Sequence, residues 1–179
     1  MNRSSRGSVV AGAGTALTGA VLGLEVGVLW WLITPSEQWL AFDGGLGAAD
    51  LNSPDWFAAD GWFLVLGVLG GLLLTGLTWV WARTAPVAMV LGLILGAALL
   101  ALVAWSVGGL LGPPDPRQAA DGLAVGATID GSLGLRALGV LAAPAVSALA
   151  LVTLLLAMSP VVDDRLTAVP EESGEPVGS

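Results

Sequence analysis

Four long apolar runs, at about 9–33, 61–81, 86–111 and 133–158, constrain this chain more than any other feature. Each is long enough to cross the hydrocarbon core of a bilayer as a helix, which takes about 20 residues. Lipid supplies no partners for backbone N–H and C=O groups, so such a segment must satisfy them internally. The expected fold class is an all-α membrane protein, with four transmembrane helices in a compact bundle and short amphipathic helices in the outer loops. The chain is 55% hydrophobic and only 11% charged, whereas an ordinary soluble domain carries roughly a quarter charged residues. Residues 1–160 are read as one transmembrane domain. Residues 161–179, acidic and rich in Pro, Gly and Ser, read as a disordered cytoplasmic tail.

The first run follows Arg3 and Arg6 and begins like a secretory signal. A signal core spans only about 7 to 15 residues before a small-residue cleavage site. This run continues to Trp30-Trp31 and is read as a retained span. Counting short flanks, Arg3, Arg6, Arg83 and Arg165 fall on one side of the membrane, with Arg117 and Arg136 on the other. Positive charge is retained on the cytoplasmic side, which places both termini there in a bacterial plasma membrane. Trp30, Trp31, Trp62 and Trp105 then mark the outer interface, and Trp79 and Trp81 the inner one.

The outer loops carry helix-start signals. Thr34-Pro35-Ser36-Glu37 has the spacing of a capping box, which predicts a short helix through Trp39, Leu40 and Phe42. Ser53-Pro54 reads as another start, with Trp56 and Phe57 in an extension of the second span. Trp39, Phe42, Trp56 and Phe57 are the candidate contacts of the outer loops with a partner. Asp115-Pro116-Arg117-Gln118 predicts one or two helical turns, Asp130-Gly131 a turn, and Ser132 a cap on the fourth helix.

Helices in lipid associate by close packing, which small residues permit. Ala11, Thr15, Gly19, Gly23 and Gly27 recur at steps of four through the first span. Gly67, Gly71 and Thr75 repeat that spacing in the second span, Ala88, Gly92 and Gly96 in the third, while the fourth is rich in Ala. Such stripes serve either the bundle itself or a partner helix. The short Ala82–Ala85 connection predicts a tight hairpin of the second and third spans.

The candidate chemistry is sparse. Glu25 is the one ionisable residue well inside a span, about 12 Å from its outer end at 1.5 Å per residue. A carboxylate at that depth needs water, protonation or a donor. Arg136, opening the fourth span, is its expected internal partner, and the pair reads as an intramembrane polar contact. The alternatives are a contact with another subunit or a proton or cation relay. Thr15, Thr18, Thr75 and Thr78 add hydroxyls of the kind that bond back to their own helix.

The chain has no Cys and no His, which removes thiolate chemistry and the usual nitrogen and sulfur metal ligands. Asp43, Asp50, Asp55, Asp60, Asp115, Asp121 and Asp130 lack EF-hand spacing and read as solvated, and no cofactor or metal is expected. A net charge of −8 argues against a nucleic-acid partner. Phosphate loops and dinucleotide fingerprints are absent, and no serine or carboxylate pair identifies an enzyme. All six basic residues are Arg. With the four-span organisation, that usage resembles small four-helix membrane proteins of actinobacteria, and no motif carries a function across.

The expected function is that of a non-catalytic accessory, scaffolding or assembly subunit of a larger bacterial membrane complex. Its partners would be the lipid bilayer and either other membrane subunits or further copies of itself. The alternative is a small oligomeric transporter or channel using Glu25 as its switch.

Overall fold

The computed structural model describes residues 3–43, 45–50, 55–82, 86–119 and 123–159. The expected tail (161–179), the turn residues 83–85 and the Ser53-Pro54 helix start lie outside them, as do the side chains of Trp56 and Trp81. Four long helices form: α1 (Arg3–Ile33), α2 (Asp55–Ala82), α3 (Pro86–Leu111) and, after the one-turn α4 (Pro116–Ala119), α5 (Ala143–Met158). Together with the 3-10 segment Leu138–Ala142 that leads into α5, they supply four segments of 25, 24, 25 and 21 residues that are long and apolar enough to cross a membrane. These segments pack together, and large apolar side chains such as Leu17, Leu69, Val80 and Leu91 cover the outside of the bundle.

Glycine decides which helices touch. A methyl group added at Gly23 would lie 2.8 Å from the Leu100 carbonyl oxygen, and one at Gly27 would lie 2.7 Å from that of Ala104. At Gly19 it would strike the backbone of Gly96. The stripe in α1 is thus consumed inside the chain, against α3, with Gly92 and Gly96 approaching Gly12 and Thr15 in return. A second seam joins α2 to α5, where Gly67 meets the Pro144 ring and Gly71 meets the Pro144 carbonyl and Ser147. The closest helix pairs are therefore α1 with α3 and α2 with α5. The α2–α3 hairpin expected from the short connection packs less closely, because the deepest glycine notches face elsewhere.

The expected amphipathic helix at Trp39–Phe42 does not form. Residues Gln38–Phe42 are a strand, β1, paired antiparallel with β2 (Gly45–Ala48) and β3 (Thr128–Asp130) in the order β2-β1-β3. The register pairs Phe42 with Gly45 and leaves Asp43-Gly44 between them. Asp-Gly is a preferred dipeptide of two-residue hairpin loops, and this signal prevails over the capping-box spacing. The expected turn at α4 is present, with the Asp115 carboxylate accepting the Arg117 N–H at 2.9 Å. The fourth span begins later than expected: residues 133–137 are outside any helix, and the 3-10 segment starts at Leu138. Ser132 consequently caps nothing there.

Two of the tryptophans turn into the bundle. Trp30 is fully buried, its ring edge-to-face with Phe63 at 5.1 Å and seated on Gly108, and its Nε1 donates to the Ala59 carbonyl at 2.9 Å. Trp79 packs partly buried against the core, whereas Trp31, Trp62 and Trp105 are exposed.

Candidate functional site

The helix α1 has two faces with different fates. Glu25 is two residues from both Gly23 and Gly27, and two residues on a helix are a rotation of about 200°. Turning the glycine stripe onto α3 therefore turns Glu25 outward. The side chain is exposed, and so are Val21, Val28, Leu29 and Leu32 along the same face. Among the described residues no donor or cation meets the Glu25 carboxylate.

Arg136, the expected partner, is engaged elsewhere. Its Nη2 donates to both carboxylate oxygens of Glu37 at 2.7 Å, so the Glu25–Arg136 pair does not form. The reason is the late start of the fourth span, which leaves Arg136 in the loop beside the sheet instead of inside the bundle. Asp60, in the first turns of α2, fixes that loop: Oδ1 accepts the Arg136 N–H and Oδ2 the Ala137 N–H, both at 3.0 Å. Gln38 Nε2 donates to Asp130 Oδ1 at 2.9 Å, tying β1 to β3 through side chains as well as backbone.

This polar layer closes one end of the bundle, with depressions among the described residues. A cleft of about 110 Å³ is bordered by Trp31, Thr34, Glu37, Asp55 and Ser132. Thr34 Oγ1 is buried there without a hydrogen-bond partner among the described residues. Two more open grooves, of about 290 and 330 Å³, share Trp39 and Arg117 on their walls. Trp39 is partly buried on Gly131, Phe42 is exposed with its ring edge over Gly47, and Phe57 is 75% exposed. Trp39 and Phe42 share the wall of the wider groove, and Phe57 lies at the start of α2. Among the described residues no three His, Cys, Asp or Glu side chains gather where they could hold a metal ion.

Inside the bundle the hydroxyls are spent locally. Thr15, Thr18, Thr75 and Thr78 donate to the carbonyls of Ala11, Gly14, Gly71 and Leu74, each four residues back. Thr75 also reaches the Ala148 carbonyl of α5 at 3.2 Å, a polar clasp on the α2–α5 seam. Ser147 likewise donates to the Pro144 carbonyl at 3.1 Å, and among the described residues the other buried side chains of the bundle are apolar, with no ionisable group among them.

No local spacing brings Asp60 and Glu37 to Arg136, or Thr34 beside Glu37, because the paths of the loops set those contacts. The outward direction of Glu25, by contrast, follows from its offset from the glycine stripe. Comparison with protein-family models, with curated proteins and with solved structures returned no match.

Proposed function

We propose that the chain is a multi-pass protein of a bacterial plasma membrane, acting as a non-catalytic accessory or assembly subunit that docks against another membrane protein through the outer face of α1. The observation that carries this reading is Glu25, an exposed carboxylate on an apolar helix face with no partner among the described residues. A carboxylate within a span is costly and ordinarily faces protein or water. Docking removes it from lipid and gives it a donor. A relay through the bundle of one chain is the weaker reading, because Glu25 lies outside the packed core and, among the described residues, that core has no ionisable side chain to continue the path. In the proposed orientation the sheet end faces outward and both termini face the cytoplasm, from the four-against-two division of the arginines.

Mild detergent extraction followed by native mass measurement tests the docking role. A stoichiometric complex with a different membrane protein, lost when Glu25→Leu is introduced, is the expected result. An isolated monomer under several mild conditions overturns it, and a homo-oligomer favours transport by self-association.

A further inference from the structure

Resting on the docking role of α1, we infer that its partner is a transmembrane helix of a different protein carrying an arginine or lysine at the depth of Glu25, about 12 Å from the sheet-side end of the span. The first step is charge. A neutral donor satisfies the group only in its protonated form, whereas a cation both cancels the charge of the carboxylate and donates hydrogen bonds to it. The second step concerns who can supply the cation. All six basic residues of this chain are arginines, and none falls within Val9–Ile33, Phe57–Val80, Val87–Leu111 or Leu138–Met158. A second copy packed on the same face would bring Glu25 against Glu25, two like charges, so self-pairing is disfavoured.

The third step is shape. The glycines of α1 already face α3, so the outer face presents bulky Val21, Val28, Leu29 and Leu32 around the carboxylate. Such a face does not let two backbones approach closely, and a long basic side chain spans the wider gap. The contact is thus a polar anchor set in a loosely packed apolar seam, in contrast to the tight glycine seams inside the bundle.

The test uses the full chain in phospholipid vesicles, with a donor fluorophore on a cysteine introduced at Ser36, which is exposed at the sheet end. Synthetic polyleucine–alanine transmembrane peptides carry the acceptor at one end and a single Arg, Leu or Glu eight residues from it. Energy transfer should report about tenfold tighter association with the Arg peptide than with the Leu peptide, in the range of measured polar helix contacts. The Glu peptide should bind no better than Leu. The preference should vanish in Glu25→Leu and also in Glu25→Gln, which keeps hydrogen bonding and removes charge. Equal binding of the Arg and Leu peptides overturns the inference, as does a preference that survives Glu25→Gln. Energy transfer between donor- and acceptor-labelled copies of the chain that depends on Glu25 overturns it in favour of self-pairing. A mixed complex that persists on mild extraction while the Arg peptide shows no preference removes only the cation and leaves docking in place. An isolated monomer removes docking whatever the peptides do.

Discussion

Arg136 places Nη2 2.7 Å from both carboxylate oxygens of Glu37, joining the loop that leaves the first helix to the loop that enters the last. Arg136 is 47% exposed and Glu37 17% exposed, so water competes for the pair. The neighbouring Asp60 contact differs in kind, because its carboxylate satisfies two backbone N–H groups ahead of a 3-10 segment with no side-chain cap of its own. Glu37→Gln should therefore cost no more than about 1 kcal/mol. Asp60→Ala should cost about 1–3 kcal/mol, because it removes two hydrogen bonds to one charged carboxylate. Reversible unfolding in mixed micelles gives the two values, and hydrogen exchange at the Arg136 and Ala137 amides locates the second. An Asp60→Ala variant as stable as Glu37→Gln would refute the ranking.

The glycine seams predict a position-dependent response to a single methyl group. Gly19→Ala places a Cβ into the backbone of Gly96 and must push α1 from α3, whereas at Gly76 nothing lies within 4 Å. Overpacking of this kind costs about 1–3 kcal/mol. Gly76→Ala should leave stability unchanged or slightly improved, since Ala is the better helix former. The same unfolding measurement on both variants decides it, and equal stabilities would mean that the α1–α3 seam is not as close as described.

Residue by residue, the spans were readable because lipid-crossing helices need length and apolarity, which composition records directly. Gly19, Gly23 and Gly27 were readable as a close-packing stripe, because small residues at a four-residue spacing permit close approach, but the spacing left open whether the stripe met the bundle or a partner helix. The sheet was not readable from Thr34-Pro35-Ser36-Glu37, whose local hydrogen-bonding options favour a helix. Strand pairing of Leu40 with Thr128 lies across 88 residues of sequence separation, and nothing in the first loop encodes the second. Asp43-Gly44 was the available hint. The true partner of Arg136 was hidden likewise, since it depends on a helix start set five residues later than the apolar run suggested.

The sheet itself can be trapped. Gln38 and Asp130 are register partners whose side chains meet at 2.9 Å, so their Cβ atoms lie on one face. In this cysteine-free chain, Gln38→Cys with Asp130→Cys should form a disulfide under mild oxidation. Asp43→Cys with Asp130→Cys, where Asp43 is outside the paired segment, should not. A mobility shift on non-reducing gels reads the result. Comparable crosslinking of both pairs would show that β1 and β3 do not hold this register.

Trp30 and Trp31 are adjacent and should behave oppositely. Trp30 is completely buried and donates to Ala59, while Trp31 is 39% exposed. Trp30→Phe keeps an aromatic ring against Phe63 and Gly108 but removes the donor and part of the ring volume. The lost hydrogen bond costs about 0.5–1.5 kcal/mol, with the unfilled volume adding to it. Trp31→Phe should change stability by no more than about 0.5 kcal/mol. Thermal unfolding of the two variants side by side tests the contrast, and an equal or larger loss for Trp31→Phe would contradict the burial of Trp30.

The orientation proposed from the arginines makes the last prediction. Gly7 precedes the first membrane-crossing segment and is exposed, with open space where a Cβ would sit. Ser36 follows the same segment and is also exposed, at the sheet end. A cysteine at either place should be chemically reactive in detergent, so differences in intact cells report sidedness alone. If the sheet end faces outward, Ser36→Cys should react with an impermeant maleimide before lysis, and Gly7→Cys only afterwards. The arginine imbalance is modest, and the Arg117 and Arg136 side chains work against it. Arg136 is neutralised locally by Glu37, which weakens its pull on topology and leaves Arg117 as the main opposing charge. Arg117→Glu should therefore keep the same labelling pattern. Arg3→Glu combined with Arg6→Glu should raise the fraction of molecules in which Gly7→Cys labels before lysis. Labelling of Gly7→Cys before lysis in the otherwise unaltered chain would reverse the assignment and place the polar sheet layer on the cytoplasmic side.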